Sequence, residues 1–169
     1  MIWRCEVCGM LTIGTEPPET CVVCGVGPED FSQVDEVEDV TGTETEKNLM
    51  KAFSGESQAN RRYLLYARMA ELEGDSKAED MFLRFASEET WHAQSHLLYL
   101  LGKRTTKENI IESVEGETYE ADKMYAEFAE RAKDEGFENI ALIFSWLSKT
   151  ERGHAEKFKK LLEESGNRF

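Results

Sequence analysis

ASEETWHAQSH, residues 86–96, holds the pair whose spacing decides the fold: Glu89 and, three residues on, His92. On an α-helix three residues make about one turn, so this carboxylate and imidazole share a face. The spacing recurs at Glu151–His154, within SKTERGHAEKF. A single Glu-x-x-His carries little weight in a chain that is 32% charged. Two carry more, because each is preceded one helix earlier by a glutamate inside a core-like stretch. Those are Glu56 in AFSGESQANRRY and Glu117 in EGETYEADKMY.

Two helices bearing Glu and two bearing Glu-x-x-His predict a mainly α protein. The expected architecture is a four-helix bundle whose ligands project inward to a di-iron or di-manganese site. The 169 residues suit one domain plus a small module, and 40% apolar content is enough for a core. No run approaches the ~20 apolar residues of a membrane span, and Met1–Ile13 lacks the apolar region of a signal peptide. A cytoplasmic location is expected. The net charge of −14 argues against nucleic acid and anionic membrane as partners, because both reward basic surface.

All four cysteines fall in residues 1–34, as Cys5-x-x-Cys8 and Cys21-x-x-Cys24, each pair followed by a glycine, Gly9 or Gly25. Some thirty residues cannot bury a self-sufficient core, so a metal or disulfides must supply stability. Without a leader sequence a tetrathiolate site is the expectation, and tetrahedral sulfur suits zinc or iron alike. Residues 35–43, DEVEDVTGT, read as an acidic linker, and residues 44–169 as the helical domain.

Within that domain Thr43 with Glu46 predicts a capping box for helix 44–73. Its stripe is Leu49, Ala52, Phe53, Glu56, Ala59, Tyr63, Tyr66 and Ala70. The second helix, about 77–101, carries Met81, Phe82, Phe85, Glu89, His92, His96 and Leu100. Thr105 with Glu108 starts a third, continuous over about 106–135, with Ile110, Val114, Glu117, Ala121, Met124, Phe128 and Ala132. The fourth, about 137–164, carries Ile140, Ile143, Phe144, Leu147, Glu151, His154, Phe158 and Leu162, and Gly166 ends it. A buried unpaired carboxylate is expensive, so the glutamates on these stripes call for a cation.

Loop lengths bear on the topology. A local two-fold in such a bundle makes the first and third helices antiparallel, which needs a crossover of about 40 Å. That takes roughly 12 extended residues, and only about four are spare after Leu101. A domain-swapped homodimer is therefore expected, with a shorter third helix and a true crossover as the alternative.

With these motifs in place, the sequence resembles rubrerythrins over nearly its whole length. The segments WRCEVCG…ETCVVCG, AFSGESQANRRY, EETWH, GETYEADKMY and TERGH occur in the family's order, with the cysteine module first, as in reverse rubrerythrins. The resemblance implies a rubredoxin-like module in which Cys5, Cys8, Cys21 and Cys24 bind one iron, ahead of a ferritin-like di-iron domain. It implies Glu56, Glu89, Glu117, Glu151 and His154 as di-iron ligands. Glu120 matches an extra carboxylate, and His92 a histidine that exchanges with it when one iron shifts on reduction. Tyr63 and Tyr125 match tyrosines that hydrogen-bond near the site. His96 and Trp91 have no counterpart in the family pattern, and the module order leaves open whether electrons pass within a chain or between subunits. The implied activity is reduction of hydrogen peroxide to water, with electrons from NAD(P)H reaching the thiolate iron through a reductase or a separate rubredoxin. Oxygen reduction or ferroxidase activity at the same site, iron storage, and a zinc ribbon fused to a structural bundle are the competing readings.

Overall fold

A computed structural model describes residues 1–165; Gly166, expected to end the last helix, lies outside the described residues. The chain divides into two compact units, Met1–Lys103 and a second that begins at Arg104. No helix among the described residues is long and apolar enough to cross a membrane.

The first unit opens with three short antiparallel strands, β1 (Ile2–Cys5), β2 (Leu11–Ile13) and β3 (Phe31–Val34), in the order β2-β1-β3. Ile2 pairs with Ile13 on one side and Val34 on the other. Helices α1 (Glu44–Glu73) and α2 (Ser76–Leu101) follow as a hairpin. Gly74, at φ 78°, ends α1 in the left-handed conformation that a Cβ disfavours, and the Asp75 side chain caps α2 by accepting from the Ala78 amide. At the start of α1 only half of the expected capping box forms. Thr43 accepts from the Glu46 amide at 3.1 Å, but the Glu46 carboxylate takes the Gly42 amide instead of Thr43's.

Ile2, Leu11 and Val34 form a small apolar cluster, and Leu98 and Tyr99 of α2 pack against it. The strand module thus borrows part of its core from α2, as its size requires. Most predicted stripe positions of α1 are covered or half-covered, but Tyr66 (39% exposed) and Met81 of α2 (53%) lie open. A hairpin of two helices covers only one side of each, and a stripe suited to four helices exceeds it.

In the second unit the expected continuous helix 106–135 is interrupted. It comprises α3 (Thr106–Tyr119), a π-helical turn (Glu120–Met124) and α4 (Tyr125–Asp134), followed by α5 (Glu138–Ser165). The Tyr125 amide reaches back five residues to the Glu120 carbonyl, which inserts one residue into the helix. The Ser148 hydroxyl of α5 donates to the Ala121 carbonyl at 2.8 Å and anchors the turn. Phe128, Ile140 and Ile143, predicted for the stripes, are 45%, 46% and 56% exposed, for the reason that applies to Tyr66.

Thr105 and Glu108 form the complete capping box that the sequence predicts. Thr105→Ala is expected to cost about 1 kcal/mol, read as a lower urea midpoint. The Thr105 amide and then its hydroxyl hold the Glu108 carboxyl below its ordinary 4.5. A depressed folded-state pKa contributes stability above the unfolded value and loses it as pH falls through the folded one. Glu108→Gln should therefore flatten stability against pH below about 4.5, and an unchanged acid limb would contradict the assignment.

Candidate metal centres

Two equivalent turns build the cysteine site. Gly9 donates its amide to the Cys5 carbonyl and Gly25 its amide to the Cys21 carbonyl, both at 2.8 Å and both glycines at φ 78°. The positive φ lets each Cys-x-x-Cys-Gly turn inward without a Cβ clash. Cys5 and Cys21 are buried, Cys8 and Cys24 exposed. The Cys5–Cys24 and Cys8–Cys21 sulfurs are 3.6 Å apart, and one sulfur from each residue lies within 4.8 Å of all the others. Tetrahedral bonding at a metal–sulfur length near 2.3 Å separates sulfurs by about 3.8 Å, so the cluster fits one ion.

Electrostatics point the same way. Burial raises the Cys8 thiol to about 12, against the Met10 amide and with the other sulfurs adding to the rise. Burial acts upward on Cys5 too, but the Cys8 and Val7 amides outweigh it and leave that thiol below its ordinary value. Four crowded sulfurs cannot all ionise unaided, and a cation removes the conflict.

The helical ligands fall into one set per unit. In the first, Glu56 on α1 and Glu89 and His92 on α2 bring one donor atom each within 4.8 Å of one another. His92 Nδ1 lies 2.8 Å from Glu89 Oε2. Burial and then the neighbouring Glu89 push the Glu56 carboxyl above its usual range, although His92 acts against this. In the second, Glu117 on α3 and Glu151 and His154 on α5 do the same. His154 Nδ1 lies 2.7 Å from Glu151 Oε2 and 3.4 Å from Glu117 Oε2. The two Glu-x-x-His turns are therefore geometrically alike, and each supplies carboxylate oxygen and imidazole nitrogen. That donor chemistry suits iron or manganese.

Glu120 begins the π turn, and burial followed by the Glu117 and Glu151 charges raises its carboxyl above the usual range. Burial, then Glu120, Glu151 and Glu117, raises the Tyr125 phenol, whose ring packs against Phe128 and Phe144. Tyr63 packs on Phe82 and Phe85. The structure thus gathers Glu117, Glu120, Glu151, His154 and Tyr125 in one unit and Glu56, Glu89 and His92 in the other. Trp91 and His96 are half-buried, and neither falls among the clustered donors.

Sequence reasoning missed Asn60, the buried polar residue of α1. Its Nδ2 donates to the Ala86 carbonyl at 2.6 Å and to Thr90 Oγ1 at 2.9 Å, tying α1 to α2 about one turn from the level that Glu56 and Glu89 share. The signal was a polar residue beside the stripe position Ala59. Asn60→Leu should destabilise the hairpin by about 1–3 kcal/mol and weaken metal retention at Glu56. Unaltered midpoint and metal content would refute that role.

The family described as Rubrerythrin matches residues 47–162, and the one described as Rubrerythrin, rubredoxin-like domain matches residues 3–32. Reverse rubrerythrin-1 of Clostridium acetobutylicum is 32% identical, the match covering 95% of this chain and 96% of that protein. Rubrerythrin-1 of the same organism is 36% identical over 72% of this chain and 71% of its own length. Rubrerythrin of Nitratidesulfovibrio vulgaris is 35% identical, covering 69% of this chain and 68% of its own.

Proposed function

Because the chain belongs to the rubrerythrin family, with a rubredoxin-like four-cysteine iron site and a ferritin-like di-iron domain, we propose that it reduces hydrogen peroxide to water. In this reading residues 1–34 are the one-electron module, 35–43 the linker and 44–169 the peroxide-reducing domain. The observation that carries it is the presence in one chain of a tetrathiolate cluster and two matched carboxylate–imidazole sets. When bound, the di-iron pair supplies two electrons to one peroxide O–O bond, and the thiolate iron replaces them singly.

The chain's own residues define the rest. Glu56, Glu89, Glu117, Glu151 and His154 hold the pair, and Glu120 and His92 serve as alternating ligands for one position. The half-buried hairpin face keeps bulk water from the carboxylates and strengthens their hold on cations. Tyr125, with its phenol pKa raised, keeps its proton on Oη and can donate it in a hydrogen bond toward the carboxylate cluster. Tyr63, wedged on Phe82 and Phe85, offers its hydroxyl as a hydrogen-bond donor on the α1–α2 side. The reductant is an electron-donor protein, a rubredoxin or an NAD(P)H-dependent reductase, and the reaction is cytoplasmic.

The assembly is a domain-swapped homodimer. Helix α2 ends at Leu101 and α3 begins at Thr106. Four residues reach about 14 Å, well short of the 40 Å crossover that an unswapped two-fold bundle needs. The open apolar residues Leu65 (59%) and Leu72 (75%) of α1, and Ile143 (56%) and Trp146 (60%) of α5, support a second copy as the cover. Sizing that gave only monomer would reject the dimer.

The test is anaerobic stopped-flow mixing of iron-loaded, reduced protein with one equivalent of peroxide. Thiolate-to-ferric absorption should return faster than with dissolved oxygen. A protein that turns over oxygen faster than peroxide is an oxygen reductase, and one that holds only zinc is no electron-transfer enzyme.

A further inference from the structure

The strand module and α2 meet along a seam. Ser95 is buried, and its Oγ accepts the Leu11 amide at 2.9 Å. One turn further along α2, Tyr99 Oη donates to the Gly9 carbonyl at 2.6 Å. Both bonds grip the segment that directly follows Cys8, and Leu98 and Tyr99 also pack on the module's apolar cluster. Between them lies His96. It lines an open cleft of about 390 Å³ together with Cys8, His92, Ser95 and Tyr99. The cleft is therefore lined at once by a thiolate-site cysteine, a di-iron ligand candidate and His96. Burial, then the neighbouring His92, lowers the His96 pKa and favours the neutral ring.

We propose that Ser95 and Tyr99 are positioning residues that hold the Cys8–Leu11 segment on α2, and that His96 bridges Cys8 to His92 for one-electron transfer within a single chain. The proposal rests on the peroxide-reductase reading for its physiological use, but the docking it describes does not depend on that reading. Each crossing takes one electron from the ferrous thiolate iron, which becomes ferric. Two crossings, with two protons, balance the conversion of one hydrogen peroxide to two waters, and a one-electron donor protein restores the ferrous iron.

Two readouts separate docking from transfer. In zinc-loaded protein, amide exchange at Leu11 reports docking without any redox chemistry. Ser95→Ala should speed it at least tenfold, and Ser95→Thr, which keeps the hydroxyl, should restore it. Tyr99→Phe should speed exchange across residues 9–11. In iron-loaded protein, the peroxide-driven oxidation of the thiolate iron should slow about tenfold in Ser95→Ala and Tyr99→Phe. His96→Leu should slow it as much while leaving Leu11 exchange and the thiolate iron's reduction potential unchanged. Faster exchange with transfer rates within twofold of the parent protein would reduce the seam to a structural contact. A His96→Leu protein with unaltered transfer would remove the bridge. If the parent protein ignores peroxide, amide exchange in the zinc-loaded protein still tests docking and dissolved oxygen replaces peroxide as the oxidant that tests transfer, so a failure of the function reading stands apart from a failure of the seam.

Discussion

Cys21→Ser is expected to abolish the visible thiolate-to-iron absorption and unfold the strand module, while most of the helical signal persists. Cys21 is 1% exposed and packs with Cys5 and Met10, so the substitution removes a ligand and a core atom together. The module's other support is slight: three strands of three or four residues and a cluster of Ile2, Leu11 and Val34 completed by α2. Bound metal contributes about 10–16 kcal/mol to small domains of this kind, far more than so small a core can supply. Loss of a ligand together with a buried core atom should therefore drop the module below its folding threshold. Helices α1–α5 hold their own backbone bonds and lose the cover over Leu98 and Tyr99 and the two hydrogen bonds at Ser95 and Tyr99. The check is metal analysis together with amide exchange: protection retained at residues 2–13 in the variant would show that the sheet folds without the site. The exposed ligand Cys24 offers a contrast, because Cys24→Ser removes the sulfur with little packing loss and should leave the weaker phenotype.

What the sequence made legible follows from where its signals were local. Cys-x-x-Cys-Gly and Glu-x-x-His are spacing rules within one turn, and the structure gathers those residues. Thr105 with Glu108 is likewise a three-residue rule, and both its hydrogen bonds form. Thr43 with Glu46 has the same spelling, but the glutamate found the Gly42 amide one residue earlier, a choice that composition does not encode. The π turn at Glu120 was invisible because a single inserted residue in a hydrogen-bond ladder leaves apolar periodicity nearly intact. Resemblance alone, not spacing, singled out Glu120. The Ser95–Leu11 and Tyr99–Gly9 bonds were invisible for a different reason. Their partners are backbone atoms 84 and 90 residues away, and backbone atoms have no sequence signature. Exposure of Ile140 and Ile143 marks a further limit: helical periodicity names an apolar face but not the chain that covers it.

Glu151→Gln is expected to change stability with opposite sign in the metal-free and metal-loaded protein. Its side chain is only 12% exposed, and its charge raises both the Glu120 carboxyl and the Tyr125 phenol. Without a cation, Glu117, Glu120 and Glu151 repel one another in a partly desolvated site, so neutralising one relieves strain and raises the metal-free midpoint. With metal bound, the carboxylate is a ligand and the amide a poor substitute, so the midpoint falls and iron content drops below that of the parent. Outer-shell changes alone typically cost 10–100-fold in affinity or activity. Loss of a ligating oxygen should cost at least about 100-fold in peroxide turnover. The thiolate site, in the other unit, should keep its spectrum. Calorimetry on chelated and iron-loaded samples reads the sign, and a fall in both states would mean that Glu151 holds the helices together through His154 and has no part in binding metal.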